Sequence, residues 1–128
     1  MHLQENTWKL INKQNGEKMV KHIMRVISGL QPKQVDEMID EYHLNMLQSD
    51  TGIILFEGEL EDLRRATKHV VDVTLPPGPT VTEIKAAVDN FDVQLKQSGD
   101  GPQLHGTYEE INNAVNFIVD AMLERLEN

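Results

Sequence analysis

Over much of this chain apolar residues recur every three or four positions, which is the spacing of one face of an α-helix. The first such segment predicts a helix over about 17–28. Gly29 follows it, at a place where helices commonly end in a left-handed glycine. Upstream, Asn15-Gly16 is a strong signal for a two-residue hairpin turn, so residues 1–16 are open to helix, hairpin or disorder.

Three further segments carry helix-start signals. Residues 32–48 begin with proline, which is favoured at the first helical position, and an apolar stripe follows it. The other two begin at capping boxes, in which a threonine and a glutamate three residues later each satisfy a backbone N–H. Thr80 and Glu83 form the first box, and Thr107 and Glu110 form the second. The second box predicts a long last helix.

Short runs of β-branched and aromatic residues interrupt this helical pattern. Such a run between two glycines predicts a buried strand over 53–57, and alternating apolar residues predict another over 71–75. A helix that starts near Glu59 lies between them. We therefore expect an α+β fold that is mainly α, with four to five helices and a minor two- to three-stranded sheet.

Composition limits the class of protein. With 128 residues and 39% hydrophobic content, the chain is expected to form a single domain over residues 1–128, and no internal repeat is visible. Cysteine is absent, which excludes disulfides, thiolate metal sites and cysteine nucleophiles and favours a cytoplasmic setting. Apolar runs stay far below the roughly 20 residues of a membrane helix, so we expect no membrane span and no export signal.

Charge is unevenly distributed along the chain. A basic arm, residues 1–30, precedes an acidic body, residues 31–128, and the net charge is −9. Proteins that coat nucleic acid draw their binding energy from Lys and Arg, so direct nucleic-acid binding is not expected. The arm either docks on its own acidic body or presents a separate surface to a partner.

One basic cluster stands within the acidic body. It comprises Arg64, Arg65, Lys68 and His69, which lie one turn apart in pairs on a predicted helix. Such a surface could bind a nucleotide or another anion through phosphate or carboxylate groups. The alternative is that the cluster neutralises neighbouring acids, as Glu61 could do for Arg65 at the i, i+4 spacing.

Two acidic pairs have a spacing that could hold a metal ion. Glu37 and Asp40 form the first pair, and Glu59 and Asp62 form the second. This pattern resembles the paired acidic motifs of the all-helical nucleoside triphosphate pyrophosphohydrolases, and the resemblance implies Mg²⁺ held by helix carboxylates. The predicted strand between the pairs departs from the helical frame of that family. Our preferred interpretation has no metal and no cofactor.

The last predicted helix has an unusually wide apolar arc. Two adjoining stripes cover more of its surface than one packing layer normally buries. It is either a central core helix or the contact between two copies of the chain. We expect a homo-oligomer, most simply a dimer, with Phe117, Met122 and Leu123 at the contact.

No P-loop, dinucleotide-binding glycine motif or nucleophile elbow is present in the sequence. We therefore expect a small acidic non-enzymatic interaction protein, such as a regulator, an adaptor or an inhibitor of a nucleic-acid-acting or defence system, with an unidentified protein partner. The alternatives are a small-ligand module that binds an anion at the basic cluster, and a metal-dependent nucleoside triphosphate pyrophosphohydrolase.

Overall fold

The computed structural model describes residues 7–11 and 18–127, with side chains from residue 21 onward. The turn expected at Asn15-Gly16 lies outside the described residues. In the part described, the chain forms four helices and seven strands. In chain order these are β1 (Thr7–Ile11), β2 (Lys18–Arg25), α1 (Pro32–Tyr42), β3 (Asn45–Gln48), β4 (Ile54–Gly58), α2 (Leu60–Ala66), β5 (Val70–Thr74), α3 (Val81–Asn90), β6 (Val93–Ser98), β7 (Gly101–Thr107) and α4 (Tyr108–Glu127).

These elements divide into two compact units. The amino-terminal unit contains the described residues up to 26 together with residues 32–67. The carboxy-terminal unit contains residues 27–31 and 68–127. Each unit has one antiparallel sheet, so the two can be described separately.

In the amino-terminal unit the four strands are ordered β1-β2-β4-β3, and all neighbours are antiparallel. Phe56 on β4 is paired with Met24 on β2 and with Met46 on β3. Phe56 and Met24 are fully buried. From the helices, Val35 and Leu63 join them in the core of this unit.

The carboxy-terminal unit has three strands in the order β5-β7-β6, again antiparallel. Leu104 on β7 is paired with Val73 on β5 and with Leu95 on β6. Leu104 and Val73 are fully buried. α3 and α4 contact each other and the sheet, and Ile84 and Ile111 are among the residues that they contribute to the core.

The two units repeat one layout. Each runs strand, helix, strand, strand, helix, and in each the third strand of the set lies between the first and the second. Two residues beyond the central buried residue of that middle strand, both units have a glycine, Gly58 and Gly106. The repeat is one of topology and not of sequence, because the shared residues are too few to be visible along the chain.

The expected mainly helical fold is wrong. Helices and strands have comparable weight, since two antiparallel sheets replace the minor sheet. Residues 18–25 show the cause: they form strand β2 where the spacing over 17–28 predicted a helix. Ile23 and Met24 are adjacent and both buried, so this strand is covered on both faces and lacks the alternation that distinguishes strands from helices.

The helix expected over 32–48 ends early. α1 stops at Tyr42 because His43 adopts a left-handed backbone with φ of 56°. The amide of Leu44 then donates to the carbonyl of Ile39 at 3.1 Å, the bond that closes a Schellman helix end. Histidine is an uncommon residue at this position, so no stop signal was visible in the sequence, and residues 45–48 continue as β3.

The remaining signals predict well. The strands expected over 53–57 and 71–75 are β4 and β5 to within one residue at either end, and the expected last helix is α4. The capping box at the start of α3 is complete, with the Thr80 hydroxyl accepting from the Glu83 amide and the Glu83 carboxylate accepting from the Thr80 amide.

Candidate functional site

The first half of α4 is built into the core of the carboxy-terminal unit. Thr107 caps the helix, its hydroxyl accepting from the Glu110 amide at 3.2 Å. Tyr108 is fully buried, and its hydroxyl accepts a hydrogen bond from the amide of Ile27 at 3.0 Å. Burial raises the pKa of Tyr108 well above its usual value. Ile118 completes this buried face.

The second half of α4 is held against its own unit by residues on one side of the helix. The ring of Phe117 meets the ring of Phe91 edge to face, with centroids 5.7 Å apart. Arg125 donates to the Glu83 carboxylate at 3.0 Å and to the Gly78 carbonyl at 3.1 Å. The Arg125 hydrogen bond is the main reason that the pKa of Glu83 is lowered from its usual value. These contacts fix the direction in which the rest of the helix faces.

A different side of the same helical segment exposes three large aliphatic residues. Val119 is 45% exposed, Leu123 is 52% exposed and Leu126 is 67% exposed. Their spacing of four and then three places them on one side of the helix, over about 11 Å at 1.5 Å per residue. We call these three residues the α4 stripe. Its contiguity distinguishes it from a single exposed apolar residue, which is ordinary on a protein surface.

An acidic ridge runs beside the α4 stripe. Asp120, Glu124 and Glu127 each follow a stripe residue directly, so they repeat its spacing about 100° further around the helix. We call these three residues the acidic edge. With the residues that the structure describes, they form no ion pair, and Arg125, the basic residue of this segment, is occupied by Glu83.

The amino-terminal unit shows that this half of α4 is an addition to the shared layout. In α2, Leu63 and Ala66 are buried at the places taken in α4 by Ile111 and Ala114. α2 ends there, after seven residues, whereas α4 has 20 residues. Residues 116–127 therefore have no counterpart in the other unit.

The sequence identified this surface only in part. Of the three expected contact residues, Leu123 is exposed on the α4 stripe, whereas Phe117 and Met122 are half-buried. Val119 was missed, because it was not assigned to either predicted stripe. Its spacing to Leu123 was the available signal.

The predicted anion-binding residues already have protein contacts. Arg64 pairs with Glu61 at 3.3 Å, and Arg65 pairs with Asp62 at 2.6 Å. The guanidinium of Arg65 also lies 6.0 Å from the ring centre of Tyr42, whose pKa is raised by burial and by the neighbouring Glu41. The pairing expected between Glu61 and Arg65 is thus replaced by two pairs at the i, i+3 spacing.

The other two residues of that cluster belong to the carboxy-terminal unit. Lys68 donates to the Glu109 carboxylate at 2.7 Å, and this hydrogen bond lowers the pKa of Glu109. The backbone carbonyl of His69 accepts from the Tyr108 amide at 2.8 Å, which anchors the start of α4. Anion binding at the cluster stays a prediction.

The candidate metal ligands are not gathered into a site. In the chain from residue 18 to 127, no group of three or more His, Asp and Glu residues could hold a metal ion. Asp62 is engaged by Arg65, and Glu59 precedes α2 without a side-chain capping bond. Glu37 and Asp40 lie on α1. The two antiparallel sheets also depart from the all-helical frame that the resemblance implied.

Two other polar places carry no reactive arrangement. On the sheet of the carboxy-terminal unit, Asp72 lies 2.7 Å from His105 and 3.5 Å from Lys96, which balances its charge. An open cleft lies between residues 28–31 and Pro76-Pro77, with Asp100 among its lining residues and no lysine or arginine among them. This lining does not suit an anion.

Comparison of the chain with known protein families, with curated proteins and with solved structures finds no match. Within the described residues, no helix is both long enough and apolar enough to cross a bilayer.

Proposed function

We propose that this chain is a small acidic, non-enzymatic interaction protein that binds a protein partner through the α4 stripe. The observation that carries the proposal is the exposure of Val119, Leu123 and Leu126 along one side of a helical segment that the shared layout does not need. Selection for the fold alone gives no reason for three aliphatic residues in contact with water there. A partner that covers these three residues would explain their exposure.

The size of the stripe indicates what such a partner must add. Complete burial of a valine or leucine side chain contributes about 1.5–3 kcal/mol, so covering the exposed half of three such residues contributes roughly 3 kcal/mol in total. A dissociation constant of about 1 μM requires about 8 kcal/mol. The stripe can therefore anchor a complex, but polar or charged contacts around it have to supply much of the affinity.

Self-association is the related prediction from the sequence, and it is tested separately. If two copies pair through the α4 stripe, static light scattering should give the mass of two chains, and Leu123→Asp should reduce it to that of one. A single-chain mass at high concentration would eliminate the dimer. A cytoplasmic location likewise stays a prediction, favoured by the cysteine-free composition.

A site-specific crosslink tests the interaction itself. A photo-crosslinking amino acid is placed at Leu123 in the full chain, inside the cells that naturally produce it, and the matched control carries it at Val70, an exposed residue on β5. We expect a discrete protein adduct at Leu123 that is absent at Val70. Adding Val119→Asp to the same chain should abolish it. Identical adducts at both positions, or none at Leu123, would contradict the proposal.

A further inference from the structure

The acidic edge specifies the chemistry of the partner. Resting on the proposed function, we infer that the occupant of the α4 stripe is a cationic amphipathic helix. Its apolar ridge contacts Val119, Leu123 and Leu126, and its Lys or Arg side chains face Asp120, Glu124 and Glu127. The shape of this surface favours a helix, its charge favours a cationic partner, and the same charge disfavours three other occupants.

The shape favours a helix as the occupant. Exposed apolar side chains at positions i, i+4 and i+7 form a straight ridge of about 11 Å, and ridges of this kind pack between the side-chain rows of a second helix. Amphipathic helices use the same spacing when they bind a partner surface. The acidic edge runs parallel to this ridge. A docked helix would therefore meet apolar contacts along one line and carboxylates along the next.

The charge favours a cationic partner. Asp120, Glu124 and Glu127 lie within two turns of helix and have no ion pair with the described residues. Like charges so close together repel each other, and opposite charges brought by a partner relieve that repulsion. Lys and Arg also bring long aliphatic stems that extend over apolar side chains. The net charge of −9 adds long-range attraction for the same class of partner.

The same charges disfavour three other occupants. A second copy brings the same three acids and its own net charge of −9 to the contact. Helices that lie on anionic lipid carry Lys and Arg beside their apolar face, whereas this helix carries carboxylates. Nucleic acid is repelled for the same reason. A cationic helical segment of another protein fits the α4 stripe and the acidic edge at once.

The probe for the test is a synthetic 18-residue helical peptide of leucine and lysine, fluorescently labelled, and the matched peptide has glutamate in place of lysine. Anisotropy titrations against the full chain are made at low and high salt. The lysine peptide should bind at least tenfold more tightly than the glutamate peptide, and its affinity should fall as salt rises.

Two charge reversals separate the acidic edge from the overall charge of the protein. Glu124→Lys lies on the acidic edge, and Glu37→Lys is the matched control at an exposed position of α1. Both change the net charge equally. We expect Glu124→Lys to weaken the lysine peptide at least tenfold and Glu37→Lys to change it less than twofold. Equal losses in the two variants would mean attraction by bulk charge and would overturn the inference.

A third variant distinguishes failure of this inference from failure of the proposed function. Leu123→Asp, shown by circular dichroism to be folded, should abolish binding of the lysine peptide. If Leu123→Asp abolishes binding but Glu124→Lys has no effect and both peptides bind equally, the stripe remains the docking site and the cationic partner is wrong. If neither Leu123→Asp nor Glu124→Lys changes binding, both proposals are wrong. A dimer dissociated by Leu123→Asp would identify a second copy as the occupant and overturn the cationic partner.

Discussion

The last helix of each unit, α2 or α4, buries two residues at equivalent positions, but the two helices differ greatly in length. α2 buries Leu63 and Ala66 and ends, while α4 buries Ile111 and Ala114 at the same places and then continues. The added part of α4 is where the chain exposes the α4 stripe and the acidic edge. The comparison teaches that about two turns of this helix meet the requirement that both units share. The remainder packs on its own unit along one side, through residues such as Ile118, and leaves the α4 stripe and the acidic edge exposed on another.

The two central strands differ as well. Phe56 occupies the buried centre of β4, and the smaller Leu104 occupies the buried centre of β7. The amino-terminal unit also has an additional outer strand, β1. The layout is thus common to both units, while its packing is individual.

Removal of the central buried side chain should be the most damaging change in either unit. Phe56→Ala should lower the free energy of unfolding by about 3–5 kcal/mol and Leu104→Ala by about 2–5 kcal/mol, because each leaves a cavity at a fully buried position. Urea unfolding followed by circular dichroism measures both. A loss below about 1 kcal/mol in one of them would mean that the units are not built around equivalent centres.

Gly29 and Gly78 each follow the first strand of a repeat, and both have positive φ, 96° and 128°. A Cβ at Gly29 would overlap the carbonyl oxygen of Thr74, which is backbone, whereas a Cβ at Gly78 would meet the flexible end of Met122. Strained backbone conformations cost about 1–3 kcal/mol. We therefore expect Gly29→Ala to lower the free energy of unfolding by an amount in the upper part of that range, and Gly78→Ala to lower it by about 1 kcal/mol. Thermal unfolding gives the order, and a reversed order would refute the contact argument.

The helices α3 and α2 differ in how their amino-terminal ends are capped. Thr80 caps α3 through its hydroxyl, whereas Glu59, in the same position before α2, makes no side-chain capping bond. Thr80→Ala should therefore cost about 1 kcal/mol, and Glu59→Ala should have little effect. Thr82→Ala, at the exposed second residue of α3, controls for the change of residue type. Similar losses for Thr80→Ala and Thr82→Ala would argue against the cap.

Acid should weaken the carboxy-terminal unit through two carboxyl groups. Hydrogen bonds from Arg125 and Lys68 lower the pKa of Glu83 and of Glu109 from their ordinary value of 4.5. A lowered folded-state pKa gives stability that is present above 4.5 and is lost as the pH falls through the folded-state value. We expect Glu83→Gln and Glu109→Gln to flatten the stability profile in this acid range. Because both pairs are near the surface, the effect should be small and should shrink in 0.5 M salt, and an unchanged profile in both variants would contradict it.

The sequence by itself determined the features that depend on neighbours along the chain. The start of α3 was predictable, since Thr80 and Glu83 satisfy each other's backbone amides within one turn. The strands β4 and β5 were predictable from short β-branched runs. The start of α4 was predictable from the Thr107 cap, but only half of the expected capping box forms, because the Glu110 carboxylate accepts from the Asp92 amide and not from the Thr107 amide. Composition and charge likewise follow from the chain alone.

Only the tertiary structure decided the features that depend on distant neighbours. β2 is a strand because β1 and β4 pair with it, which overrides a spacing that fits a helix equally well. The α4 stripe was hidden for a similar reason. Helical spacing shows which residues share a side of α4, but the contacts of Phe117 with Phe91 and of Arg125 with Glu83 determine which side remains exposed. Those contacts join residues far apart in the chain, and their geometry exists only once the unit has folded.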